Sequence, residues 1–234
     1  MCKNYRIIEL FQIIISKCYI CSMDIRQAIR SYANQPLTHA VMLSLLNDYK
    51  RPNDKLHHLI REGVLEPLKK GLYIAGPLLQ AGKPEPFLVA NHLLGPSYVS
   101  VDAALSYYGL IPERVYEVSS MTTKTARVFQ TPMGMFTYTH LGLPYYAFGI
   151  RQAKLADEQY ALVASPEKAL FDKVITTSGL MLRSWKSATD YLLENLRMDE
   201  GMLKKLDSKT MSMWIQDAPK KDSLEMVIKT IKNL

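Results

Sequence analysis

Between Asp24 and Ala75 the chain changes its hydrophobic period from helical to strand-like, and that order restricts the folds open to it. Asp24 is placed to cap a helix running to about Ala33, with Ile25, Ile29 and Tyr32 on one face, until Asn34-Gln35-Pro36 interrupts it. Thr38 caps a second helix, in which Val41, Met42, Leu45, Leu46 and Tyr49 recur at helical spacing. Arg51-Pro52-Asn53-Asp54 reads as a turn and a helix start. The third helix then runs to about Glu62, with Leu56, Leu59 and Ile60 inward and Gly63 as its terminator. Beyond it, Val64-Leu65-Glu66-Pro67-Leu68 and Leu72-Tyr73-Ile74 flank Lys69-Lys70-Gly71, which is the pattern of a β-hairpin.

Three helices followed by a hairpin within about 55 residues is the order of a winged helix-turn-helix, here spanning residues 23–78. In that fold the second helix of the helix-turn-helix unit enters the major groove and the hairpin meets the backbone or the minor groove. The third helix presents Lys55, His58 and Arg61 to solvent, with Arg51 and Asn53 at its leading end. Arginine can bridge guanine and asparagine can bridge adenine, each pair worth about 1–3 kcal/mol of discrimination. Lys69 and Lys70 at the hairpin tip suit phosphates, which supply affinity without sequence information. The charge distribution agrees: residues 1–80 carry 11 Lys or Arg against 6 Asp or Glu, and residues 81–234 carry 18 against 16. A basic N-terminal third on a nearly neutral remainder points to a nucleic-acid surface at one end. The alternative is a protein-docking module with a merely solvated charged face. His57 and His58 are adjacent, so they point to different sides of a helix and make no metal pair.

Two Gly and three Pro between residues 76 and 86 read as a linker, taken as 79–86 between the domains, and the second domain spans residues 87–234. Residues 87–94 suit a helix ended by Gly95-Pro96-Ser97, and Ser100 or Asp102 caps another through Tyr108, closed by Gly109. Val115 to His140 looks like strands, with Val115, Glu117 and Ser119 alternating with outward-facing residues and a turn at Pro132-Met133-Gly134. Residues 160–164 are a buried-strand candidate, and Ser165 with Pro166 opens a helix. From Leu180 the pattern is helical almost to the end. The expected class is α+β: an N-terminal winged helix-turn-helix plus a larger mixed α/β C-terminal domain.

The first 22 residues form an N-terminal extension with two readings. Apolar residues at 7, 11, 14, 15 and 18 can form one face of an extra packing helix, or Met23 is the true start. The apolar run from Ile7 to Ile15 falls short of the about 20 residues a bilayer span takes, and no signal-peptide cleavage site follows it, so the expected location is cytoplasmic. Cys18 and Cys21 are spaced C-x-x-C, but with Cys2 they are the only cysteines, and no second pair completes a zinc site.

Enzyme signatures are missing as well. The chain has no P-loop, no dinucleotide-binding glycine fingerprint, no G-x-S-x-G elbow and no H-E-x-x-H. His92 and His140 have no partner motif. Glu167, Lys168, Asp172 and Lys173 have the look of nuclease ligands, but Ala169, Leu170, Phe171 and Val174 form the packing side of that helix, so the four charges are expected to be exposed. No catalytic residue, metal or cofactor is expected. A winged-helix-targeted nuclease or DNA-modifying enzyme is the second reading, and a protein-interaction adaptor the third.

Several segments carry a family resemblance. They are residues 63–73 (GVLEPLKKGLY), 97–113 (SYVSVDAALSYYGLIPE), 131–138 (TPMGMFTY) and 164–172 (ASPEKALFD). Together they cover roughly residues 50–175, and in that order the chain resembles the AbiEi antitoxins of type IV toxin–antitoxin systems. The resemblance implies a two-gene operon in which the winged helix binds repeats in its own promoter and represses transcription. It further implies that the second domain counters a nucleotidyltransferase-like toxin without a stable complex, and it allows a homo-oligomer on DNA. A toxin of that class would want a Gly-Ser pair followed by spaced aspartates, and no Gly-Ser dipeptide occurs in the chain.

Overall fold

Two side chains start the first two helices by the same local chemistry, satisfying backbone donors that no preceding helical turn can reach. In a computed structural model, which describes residues 24–234, Asp24 accepts from the Arg26 amide and opens α1 (Ile25–Ser31), and Thr38 accepts from the Val41 amide and opens α2 (His39–Leu45). The readings of residues 1–22, with all three cysteines, lie outside the described residues. α1 ends earlier than the spacing suggested, and Tyr32 faces out rather than in. α3 (Pro52–Arg61) begins with proline at its first position, where the missing N–H costs nothing, and stops before Gly63 at φ +74°.

The described residues divide into two compact units, 24–83 and Pro84–Leu234. In the first, β2 (Leu65–Lys69) and β3 (Leu72–Ala75) form the hairpin, and β3 also pairs on its other side with β1 (Leu37–Thr38). That two-residue strand is too short to leave a periodic signal, and sequence reading missed it. Ile29, Leu37, Met42, Leu46, Leu56, Leu59, Val64, Leu65 and Tyr73 fill the core between sheet and helices. Each such side chain contributes about 1.5–3 kcal/mol on burial, enough together to fix where the helices lie. Gly76 has no room for a side chain: an added Cβ would sit 2.3 Å from the Gly63 carbonyl oxygen. Residues 76–79 are not a free linker, because Pro77–Leu79 form a 3-10 turn, Leu79 is buried in the core, and Arg30 Nη2 donates to its carbonyl at 2.6 Å.

The second unit is mixed α/β. Its elements are α4 (Pro86–Leu93), β4 (Ser97–Val99), α5 (Val101–Tyr107), β5 (Val118–Thr122), β6 (Arg127–Thr131), β7 (Gly134–His140), β8 (Ile150–Lys154), β9 (Tyr160–Ala164) and α6 (Pro166–Thr176). α7 (Trp185–Asp190) continues as a π turn over Tyr191–Asn195, and α8 (Glu200–Leu203), α9 (Ser208–Trp214) and α10 (Lys221–Asn233) close the chain. The strands form one sheet in the order β6-β7-β5-β4-β9-β8, parallel between β4 and β9 and between β5 and β7 and antiparallel elsewhere.

The sheet corrects three expectations and adds a strand the sequence did not show. β4 follows directly after Gly95-Pro96, where only a helix end was expected, and all three of its residues are buried. β5 starts at Val118 and buries Val118, Ser120, Met121 and Thr122, so the alternation of Val115, Glu117 and Ser119 had the wrong phase. β8 went unrecognised because the exposed Arg151, Gln152 and Lys154 make it polar, as befits a sheet edge. β9 buries Ala161, Val163 and Ala164 but leaves Tyr160 and Leu162 exposed, so it is a half-exposed strand. No described helix is long and apolar enough to cross a membrane.

Candidate nucleic-acid interface

Leu56 and Leu59 anchor α3 in the core of the first unit, which turns the opposite side of that helix outward. Arg51, Asn53, His58 and Arg61 are exposed there. Lys55 lies at the edge of the face, half-buried, with its ammonium 5.5 Å from the centre of the Tyr49 ring. Two acids temper this surface. Asp54 Oδ2 is 3.7 Å from Arg51 Nη1, and Glu62 Oε1 is 3.3 Å from His58 Nε2 and 3.4 Å from Arg26 Nη2. Arg61 has no ion-pair partner among the described residues.

The hairpin tip belongs to the same unit. Gly71 at φ +81° makes the turn, and its carbonyl accepts from the His39 amide at 2.9 Å, which ties the tip to the first residue of α2. Lys70 is exposed and Lys69 half-buried. Lys50, also exposed, stands beside Arg51 just before α3. Sequence reading passed it over, although the pair Lys50-Arg51 at a helix start was signal enough.

In the second unit, two of the charges expected at the surface are fully buried. Lys168 and Asp172 sit one turn apart on α6, and Lys168 Nζ is 2.9 Å from Asp172 Oδ1. Asp172 Oδ2 also accepts from Ser100 Oγ at 2.7 Å and from the Tyr98 hydroxyl at 3.0 Å, and Oδ1 accepts from the Tyr145 hydroxyl at 3.2 Å. The ammonium donates to the Tyr145 carbonyl at 3.2 Å and lies 3.2 Å from the centre of the Tyr145 ring. Burial pulls the Lys168 ammonium down to about 8 against the opposing pull of Asp172. Burial first, and then the Asp172 charge, push the Tyr98 and Tyr145 hydroxyls upward.

The helical period placed Lys168 and Asp172 on the charged side of α6 but could not show that β4 and Tyr145 cover that side too. Ser100 opens α5, yet its hydroxyl serves Asp172 rather than the helix end. Val101 next to it adopts φ +54°, a conformation that costs a β-branched residue about 1–3 kcal/mol. Glu167 is buried as well, accepting from Ser165 Oγ at 2.8 Å and from the Asp207 amide at 3.2 Å. Lys173 alone of the four keeps partial exposure, and it pairs with Asp102 at 2.7 Å.

A depression of about 390 Å³ is lined in part by Asp102, Glu113 and Glu117. Each carboxylate is already engaged: Asp102 by Lys173, Glu113 by Arg197 and Glu117 by the Thr137 hydroxyl. Among the described residues no group of three His, Cys, Asp or Glu stands close enough to hold a metal ion. No family model matches the chain, and neither does any curated protein.

Proposed function

We propose that residues 24–79 act as a winged helix-turn-helix that binds duplex DNA, with α3 as the helix in the major groove and the β2–β3 tip on the phosphates. The observation that carries the reading is the joint exposure of Arg51, Asn53, His58 and Arg61 on α3 and of Lys70 on a hairpin tip tied to α2. Helix α3 is held by its buried leucines, so its outer side chains need no rearrangement to meet a groove. Arg51 and Asn53 would read bases, Lys55, His58 and Arg61 would follow the groove walls, and Lys69 and Lys70 would hold phosphates. Lys50 joins the phosphate contacts.

The sequence resemblance extends this to an autorepressor and antitoxin of a type IV system. Its second domain would counter a nucleotidyltransferase-like toxin encoded beside it, with no catalysis of its own. The buried network around Asp172 supports a scaffolding part for that domain, because its ionisable groups are closed to solvent and bridge β4, Tyr145 and α6.

A gel-shift titration against DNA from upstream of the gene, at two salt concentrations and with unrelated competitor, tests the first half. Tight, competitor-resistant binding that weakens with salt supports it, and binding indifferent to sequence overturns it. Co-expression with the neighbouring gene tests the second half. Rescue of growth by residues 84–234 alone supports an antitoxin, and the absence of any growth defect to rescue removes it.

A further inference from the structure

The carboxyl ends of the parallel strands β5 and β7 lie side by side in register, Thr122 against His140. The chain leaves β5, crosses the end of β7 through residues 123–126 and returns as the edge strand β6. Ligands of α/β sheets gather outside the carboxyl ends of parallel strands, where loops meet without a helix or strand to fill the space. Here the space is a basin of about 760 Å³, lined by Leu94, Thr123, Lys124, Thr125, Arg127 and His140 among others. Its volume falls within the about 300–1,000 Å³ range of small-molecule sites.

The lining holds a lysine, an arginine, a histidine and two threonine hydroxyls, and no carboxylate. Some exposed cations of this unit have acids beside them, as Lys154 has Glu158 and Lys204 has Glu200. Lys124 and Arg127 have no ion-pair partner among the described residues. The loop is also held in shape. Thr122 Oγ1 donates to the Pro96 carbonyl at 2.8 Å and accepts from the Lys124 amide at 3.2 Å, and His140 Nδ1 reaches the Lys124 carbonyl at 3.1 Å. A carbonyl only accepts, so Nδ1 carries the proton in that bond, and the ring braces the Lys124 backbone. Arg127 stacks over the Phe129 ring at 5.6 Å.

We infer that this basin binds a compact phosphate anion, with Lys124 and Arg127 supplying charge and the Thr123 and Thr125 hydroxyls supplying donors. The claim is independent of the DNA reading of the first unit. A concave site with its cations on one loop and at the start of the strand it leads into fits a clustered charge better than the evenly spaced phosphates of a duplex.

The test titrates inorganic triphosphate into the intact chain by calorimetry at low salt, for wild type and for Lys124→Gln, Arg127→Gln and Lys186→Gln, with melting temperatures as a check on folding. Saturable one-site binding is expected, weakened about tenfold by either basin substitution, the loss of one charge-assisted hydrogen bond, and unchanged by Lys186→Gln, an exposed lysine outside the basin. The absence of saturable binding to a folded wild type overturns the inference, as does an equal loss in Lys186→Gln, which would mark a general charge effect. So does a third outcome, in which the basin substitutions weaken duplex DNA binding and triphosphate does not saturate, because the loop would then belong to a nucleic-acid surface.

Discussion

Lys168 Nζ stands 2.9 Å from Asp172 Oδ1 with both side chains closed to solvent, and the two ends of this pair are unequally supported. The carboxylate has three hydroxyl donors besides the ammonium, from Ser100, Tyr98 and Tyr145. Among the described residues the ammonium has besides the carboxylate only the Tyr145 carbonyl and the Tyr98 and Tyr145 rings. Losing either partner leaves a buried charge, but the carboxylate is the better provided to survive it. Asp172→Asn should therefore cost about 3–5 kcal/mol in urea unfolding, and Lys168→Met clearly less. The reverse order would mean that the hydroxyls do not hold the carboxylate.

The same pair gives the protein an alkaline signature. The folded chain releases the Lys168 proton near pH 8, whereas the unfolded chain keeps it to about 10.5. Between those values the unfolded state binds more protons, so stability rises with pH. Above about pH 10 the unfolded tyrosines ionise while Tyr98, Tyr138 and Tyr145, raised by burial, stay protonated, and stability falls again. Melting curves from pH 7.5 to 11 should pass through a maximum near 10. In Lys168→Met the rising limb should shrink to the part that Lys220, also lowered by burial, contributes, and the falling limb should remain. A wild-type rise that persists unchanged in Lys168→Met would assign the effect to other groups.

How much of this was readable in advance depended on what kind of signal each element leaves. Asp24, Thr38, Ser165 and Gly63 mark helix ends by local chemistry, which acts within a turn and shows in the sequence. The leucines of α3 gave that helix its orientation in the same way. β1 and β4 have two and three residues, too few for a period, and exist because longer neighbours pair with them. The burial of Lys168 and Asp172 depends on Tyr98 and Tyr145, more than 20 positions away in the chain, and helical spacing carries no information about such partners. The basin beside His140 was hidden for the same reason, since strand register brings Lys124 and His140 together.

Gly149 offers a test of packing beside this network. It adopts φ +62°, and an added Cβ would lie 2.7 Å from the Trp214 ring and 2.8 Å from Lys168 Cβ. Trp214 is stacked on Phe148 and edge-on to Phe171, so it has little room to retreat. Gly149→Ala combines backbone strain with overpacking and should destabilise by about 2–4 kcal/mol. Trp214 emission, read in a Trp185→Phe background, should shift red as the ring is displaced. An unchanged urea midpoint would show that α9 slides freely over Gly149.

The acid at the centre of the proposed DNA face makes the sharpest case. Asp54 lies in the first turn of α3, where a negative charge steadies the helix by about 0.3–1 kcal/mol, and it also draws Arg51 to itself at 3.7 Å. Next to phosphates it is repelled, and it competes with a base edge for Arg51. Asp54→Asn is therefore expected to lower the melting temperature slightly and to raise affinity for every duplex about severalfold. It should also steepen the dependence of log Kd on log salt by about 0.9 if one phosphate contact is gained. Arg51→Gln should do the opposite to affinity and also flatten the preference for upstream DNA. Stability and binding thus move in opposite directions in one variant, which a general loss of structure cannot produce. If Asp54→Asn binds DNA no better than wild type at any salt, α3 does not face the phosphate backbone, and the interface must be sought on another surface of the first unit.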